Sequence, residues 1–224
     1  MAKRQYLSKR QNLKQSLNQH VKIAIVCEGK RTEPEYFKSY IANHFKRPFY
    51  TQVISNDNHK TSLSQLYLKA CSAKKQYPNA AIFMVFDEDG KLKNNKEKIL
   101  LNKILSCCNF RGIISRDKIN CIFSNPQFEF WAMLHFEYTT APQDKKSVEK
   151  AAEMRFPGYL PNDAKELDYE ILLKTENSEY TALQNAEKLR AYHKSINNDA
   201  YLSCPTTNID ELIKYMYKTL NPRP

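Results

Sequence analysis

Four short apolar runs alternate with amphipathic stretches over the first 138 residues of the chain. The run Val21-Lys-Ile-Ala-Ile-Val-Cys27 is β-branched and almost continuous, which predicts a strand buried on both faces. Thr32-Glu-Pro-Glu35 follows with the spacing of a capping box and a proline in the first turn, and predicts a helix through Phe45. Residues 50–54 predict a second strand, and residues 61–77 a helix with Leu63, Leu66 and Ala70 on one side. Ala80-Ala-Ile-Phe-Met-Val-Phe86 gives the clearest strand of all, followed by a helix over 94–108 with Ile99, Ile104 and Leu105 apolar. Residues 119–123 predict a fourth strand, and Pro126 starts a helix carrying Phe128, Trp131, Met133, Leu134 and Phe136. This alternation predicts an α/β fold whose mainly parallel sheet is covered on both faces. Residues 139–170 are polar, contain Pro142, Pro157 and Pro161, and predict no strand, whereas helices are expected at about 178–196 and 209–220. The chain thus divides into an arm over 1–20, an α/β core over 21–138, and a mainly helical part over 139–224 packed on the core.

Composition narrows the function. At 224 residues, 42% hydrophobic and 12% aromatic, the chain is one large domain able to bury a substantial core. No run approaches the roughly 18 apolar residues of a membrane span, and the basic N-terminus lacks the apolar stretch of a signal peptide, so a cytoplasmic protein without membrane attachment is expected. The four glycines lie too far apart to write a Gly-rich dinucleotide or phosphate loop. None of the six cysteines forms CxxC and no histidines pair at i, i+4, which argues against zinc and fits free thiols in a reducing compartment.

Charge adds a partner. The net charge is +11, and residues 1–22 supply Lys3, Arg4, Lys9, Arg10, Lys14 and Lys22 with no acid among them. A basic arm on a mildly basic body is the electrostatic outline of a nucleic-acid binder, although a solubilising tail has the same composition. Lys3, Arg4, Lys9 and Arg10, with Lys30 and Arg31 further on, are the candidate phosphate contacts.

Ligands of open parallel sheets bind outside the carboxyl ends of the strands. Glu28-Gly29 follows the first strand; Asp87-Glu-Asp-Gly90 follows the third; Ser124-Asn-Pro126 follows the fourth, with Glu129 one helical turn on. If the chain stays extended, Asp87 and Asp89 share a face. Carboxylates gathered on one edge repel unless neutralised, and a hard cation such as Mg²⁺ serves that purpose. The alternative reading of each motif alone is a solvated turn or cap, and of Phe128, Trp131 and Leu134 simple core packing. Among its apolar neighbours His135 reads as a packed or surface histidine rather than a base.

Three segments together resemble the RloB-like proteins: Cys27-Glu-Gly-Lys-Arg-Thr-Glu-Pro-Glu-Tyr-Phe37, Val85-Phe-Asp-Glu-Asp89, and Ser124-Asn-Pro-Gln-Phe-Glu-Phe-Trp-Ala-Met-Leu-His-Phe136, with Cys204-Pro-Thr-Thr-Asn208 a weaker echo. That family is similar in turn to the Toprim fold of topoisomerases, primases and overcoming-lysogenization-defect nucleases. The resemblance implies a Toprim-like, Rossmann-type sheet and Mg²⁺- or Mn²⁺-dependent phosphodiester cleavage of DNA or RNA. It implies Glu28 as acid/base or metal-associated carboxylate and Asp87 and Asp89 as metal ligands; Glu129, on a helix that starts at the same edge, is a further candidate catalytic carboxylate by its position. It also implies an ATPase partner and a role in bacterial anti-phage defence. Lys91 stands just after the DxD, where many relatives are expected to place a histidine. Two other readings stay open. The segment over 85–90 also fits the nucleophile motif of a haloacid-dehalogenase-type phosphatase, with Asp87 attacking phosphorus and Asp89 as acid/base, and a non-catalytic nucleic-acid-binding adaptor would need only the charge.

Overall fold

The computed structural model of the protein describes residues 18–55, 62–156 and 178–220, so the basic arm with Lys3, Arg4, Lys9 and Arg10 lies outside the described residues. The apolar runs form the strands β1 (Ile23–Cys27), β2 (Thr51–Ile54), β3 (Ala81–Asp87) and β4 (Ile119–Asn125). They pair in parallel in the order β2-β1-β3-β4, and a two-residue strand β5 (Thr206–Thr207) closes the sheet antiparallel to β4.

The period of two along each strand sorts the core into two layers. Ile23, Ile25, Cys27, Phe83, Val85 and Ile122 face one side, and Ala24, Val26, Ile82, Met84, Phe86 and Phe123 the other. The first side is covered by α1 (Thr32–His44) and by C-terminal elements that begin with the short α4 (Glu129–Met133). The second is covered by α2 (Leu63–Gln76) and α3 (Asn95–Cys107), through Leu66, Ala70, Leu101 and Ile104. Three more helices complete the C-terminal layer: α5 (Lys145–Arg155), α6 (Ser178–Ser195) and α7 (Ile209–Thr219). Both faces of the parallel strands are therefore dry, as their unbroken apolar sequences require. The architecture is a Toprim-like, Rossmann-type α/β sheet with a C-terminal helical layer.

Two local expectations are corrected. The capping box at Thr32 does not form: Arg31 is the cap residue, no side chain caps the helix, and Thr32 and Glu33 are buried within its first turn. True reciprocal caps occur at Ser62 with Gln65 and at Asp144 with Ser147. Pro126 does not start a helix. Its carbonyl accepts from the Asp89 backbone N–H (3.0 Å) rather than from a helical partner, and α4 begins only at Glu129. One helix the sequence did not locate, α5, lies in the polar stretch over 139–170, because a helix resting on the core by only Val148 and Ala152 leaves almost no apolar stripe to read.

Candidate active site

From β1 the chain winds to β2 on one side and then crosses back to β3 on the other, so winding reverses between β1 and β3. The crevice at the carboxyl ends of those two strands is where open α/β sheets seat ligands. Glu28 and Asp87 stand at its two lips. The Glu28 backbone N–H continues the ladder to the Val85 carbonyl (2.9 Å). Its carboxylate Oε2 accepts from the Asp87 backbone N–H at 3.1 Å. The two motifs, 59 positions apart in sequence, are thus fastened across the reversal point.

A third carboxylate enters from α1. Glu33 is 4% exposed and folds back over Gly29 so closely that a Cβ there would lie 1.9 Å from Glu33 Oε2. A side chain at Gly29 would therefore push the Glu33 carboxylate out of this position. Glu129, 2% exposed, comes from the first turn of α4. Its helix is held against α1 by the buried bond from Trp131 Nε1 to Tyr36 Oη (2.8 Å) and by the edge contacts of Phe128 with Tyr36 and Phe37.

The electrostatics show that these groups act on one another. Loss of water raises the Asp87 carboxyl well above its ordinary range, and the charges of Glu33, Glu129 and Glu28 push the same way while Lys91 opposes them. Burial lifts Glu33 to about 7, helped by Glu129 and Glu28, with its own backbone N–H and that of Gly29 pulling down. Lys91 Nζ lies 3.2 Å from Glu28 Oε1 and 2.6 Å from the Asp87 carbonyl oxygen.

The acids after β3 part company. Glu88 is buried and caps its own loop, accepting from the backbone N–H groups of Gly90 (3.0 Å) and Leu92 (2.5 Å). Asp89 does not share the face of Asp87. The strand stops at Asp87, Asp89 takes φ 42°, and its carboxylate pairs with Lys145 of α5 at 3.3 Å on the open side. Extended alternation fails because the chain turns here, with Gly90 supplying the next positive φ of 82°. Lys30 and Arg31 are exposed beside Glu28.

Sequence reasoning reached Glu28, Asp87 and Glu129 and missed Glu33. The sign of it was available: Glu33 shares a helix face with Tyr36, Phe37 and Tyr40, and an acid on the buried side of an amphipathic helix needs a reason. An all-oxygen set of crowded, partly dehydrated carboxylates fits a hard divalent cation in its chemistry. Yet among the described residues no three His, Cys, Asp or Glu side chains converge closely enough to hold one as they stand, and Lys91 spans Glu28 and the Asp87 backbone.

No curated protein and no solved structure matches the sequence. The family described as RloB-like protein matches over residues 23–216, from β1 into α7 and across every element that builds the acid-lined crevice. By that match, which takes in most of its length, the chain belongs to the RloB-like family.

Proposed function

We propose that this edge is the active site of a divalent-metal-dependent nuclease of Toprim type, cleaving phosphodiesters of DNA or RNA. The observation that carries the reading is that the Glu28 carboxylate is bonded to the Asp87 N–H at the winding reversal of the sheet, with the charges of Glu28, Glu33 and Glu129 all acting on Asp87. Asp87 and Glu28 would hold Mg²⁺ or Mn²⁺, with Glu33 and Glu129 close behind. Asp89, a metal ligand on resemblance, forms a half-exposed ion pair with Lys145, a weak contact that a bound metal would be able to replace. Bound there, the metal would supply positive charge to the phosphate and the leaving oxygen. Glu28 manages the proton: its carboxylate is fixed by the Asp87 N–H at the mouth of the crevice rather than sunk in the core. Lys30 and Arg31, and the arm before them, track the phosphate backbone. An ATPase partner and an anti-phage role follow from the family resemblance and belong to the same proposal.

The phosphatase alternative needs Asp87 and Asp89 to face one substrate, and the Asp89–Lys145 pair works against it. Glu28→Gln keeps size and polarity while removing the charge. It should fold, bind nucleic acid as the wild type does, and cleave at least ~100-fold more slowly, the loss typical of a general acid/base. The assay follows plasmid DNA and total RNA with Mg²⁺, in cells or with the ATPase partner present. Wild-type cleavage rates in Glu28→Gln would remove the mechanism.

A further inference from the structure

Lys91 departs from what the resemblance leads one to expect, and its placement is unusual for a lysine. The residue is only 9% exposed, although an ammonium is strongly hydrated and rarely buried without charge partners. Nζ contacts both Glu28 oxygens, at 3.2 and 3.3 Å, and donates to the Asp87 carbonyl at 2.6 Å. The loop holds it there, since the Lys91 backbone N–H bonds to the Glu88 carbonyl at 2.8 Å and Glu88 is itself tied into the turn. Of the charges acting most strongly on Asp87, three are negative and Lys91 alone is positive. Its position is therefore that of a built-in cation, at the same carboxylate a divalent ion would need.

We infer that Lys91 is the resident counter-ion of the acid site, a positioning residue that holds Glu28 in place and that a divalent cation must displace in order to bind. The inference rests on the reading of this edge as a metal site. A salt bridge in a crowded acid crevice sets a threshold: metal enters when its attraction to the carboxylates exceeds that of an ammonium already there. Removing the ammonium leaves the same oxygens with one more uncompensated negative charge, which strengthens cation binding through a short, poorly hydrated distance.

The experiment measures Mn²⁺ binding to the full chain by calorimetry and electron paramagnetic resonance, without nucleic acid. Lys91→Gln should bind Mn²⁺ at least ~10-fold more tightly than the wild type, and Lys91→Arg, which keeps the charge, should return to weak binding. A second readout uses the unaltered protein. Acylation of Lys91 by an N-hydroxysuccinimide ester, followed by mass spectrometry, should speed up several-fold when Mn²⁺ saturates the site, because the ammonium is released toward water. If the wild type binds Mn²⁺ but Lys91→Gln binds no better and Lys91 labelling is unchanged, the inference falls and the metal site stands. If neither protein binds Mn²⁺, the metal-site reading falls and takes this inference with it.

Discussion

His135 is the sharpest case of a single residue at odds with its surroundings. It is 3% exposed, meets the edge of Trp131 at 5.1 Å, and neither ring nitrogen finds a hydrogen-bond partner among the described residues. Burial drives its pKa down to about 4, with Glu179 pulling weakly upward. The unfolded chain therefore takes up a proton near 6.5 that the fold refuses until about pH 4. The stability this implies is present above pH 6.5 and is lost as pH falls to about 4, by roughly 3 kcal/mol in all. His135→Leu should remove that acid slope and be neutral or stabilising at pH 7, since it deletes two unpaired polar atoms. Urea unfolding at pH 7 and 4.5 tests it, and an undiminished slope in the variant would place the acid sensitivity elsewhere. The same scale explains what the sequence revealed of the site. Glu28 and Asp87 were legible because a strand end fixes where a residue goes, while the expected shared face of Asp87 and Asp89 fails because the strand stops at Asp87 and Asp89 itself takes φ 42°. Glu33 was hidden inside a motif that imitates a helix cap, where Glu35, the acid of the cap pattern, stays exposed and Glu33 is the one buried.

At the scale of elements, the C-terminal layer is locked to the sheet by polar groups in a dry setting. Arg190 of α6 grips Asp210 of α7 through two bonds of 2.7 and 2.6 Å, and also donates to the Thr207 carbonyl of β5 at 2.5 Å. Asp210 is fully buried, and Lys214 reaches it at 3.0 Å. Asn208 acts as a substitute strand residue, its side chain accepting from the Phe123 N–H (2.8 Å) and donating to the Cys121 carbonyl (3.1 Å). Asp210→Ala strands a buried guanidinium and should cost about 3–5 kcal/mol, measured by chemical denaturation. Replacing Arg190 and Asp210 together by Met and Leu should recover most of the loss; a single variant as stable as the wild type would contradict this role. These contacts also explain the limits of the sequence reading. β1, β3 and β4 were plain from their apolar runs and β2 less so, but β5 is two residues whose pairing depends on side-chain bonds no periodicity encodes. The Cys204-Pro-Thr-Thr-Asn208 motif is now readable as the clasp that closes the sheet.

Over the whole molecule the charge is lopsided, with the basic arm at one end of the chain and an acid-lined crevice in the body. Removing residues 1–20 should weaken nucleic-acid binding and flatten its salt dependence, since each lost phosphate contact takes about 0.7–0.9 from the logarithmic slope. Fluorescence anisotropy across a salt series measures both, and an unchanged slope would assign the arm another task. The clasp around β4 has a consequence in time as well as in space. Ser124 and Thr207 bond to each other across 83 intervening steps of the chain, and Asn125, just before the turn that leads to Glu129, donates to the carbonyls of Leu202 and Ser203. A chain emerging from the ribosome thus exposes Glu28 and Asp87 long before the segment that clamps the fourth strand has been made. Closing so long a loop comes late in assembly. The fourth strand, and with it Glu129, is therefore supported only once residues 202–207 have been made, and until then a nascent chain carries these acids unassembled.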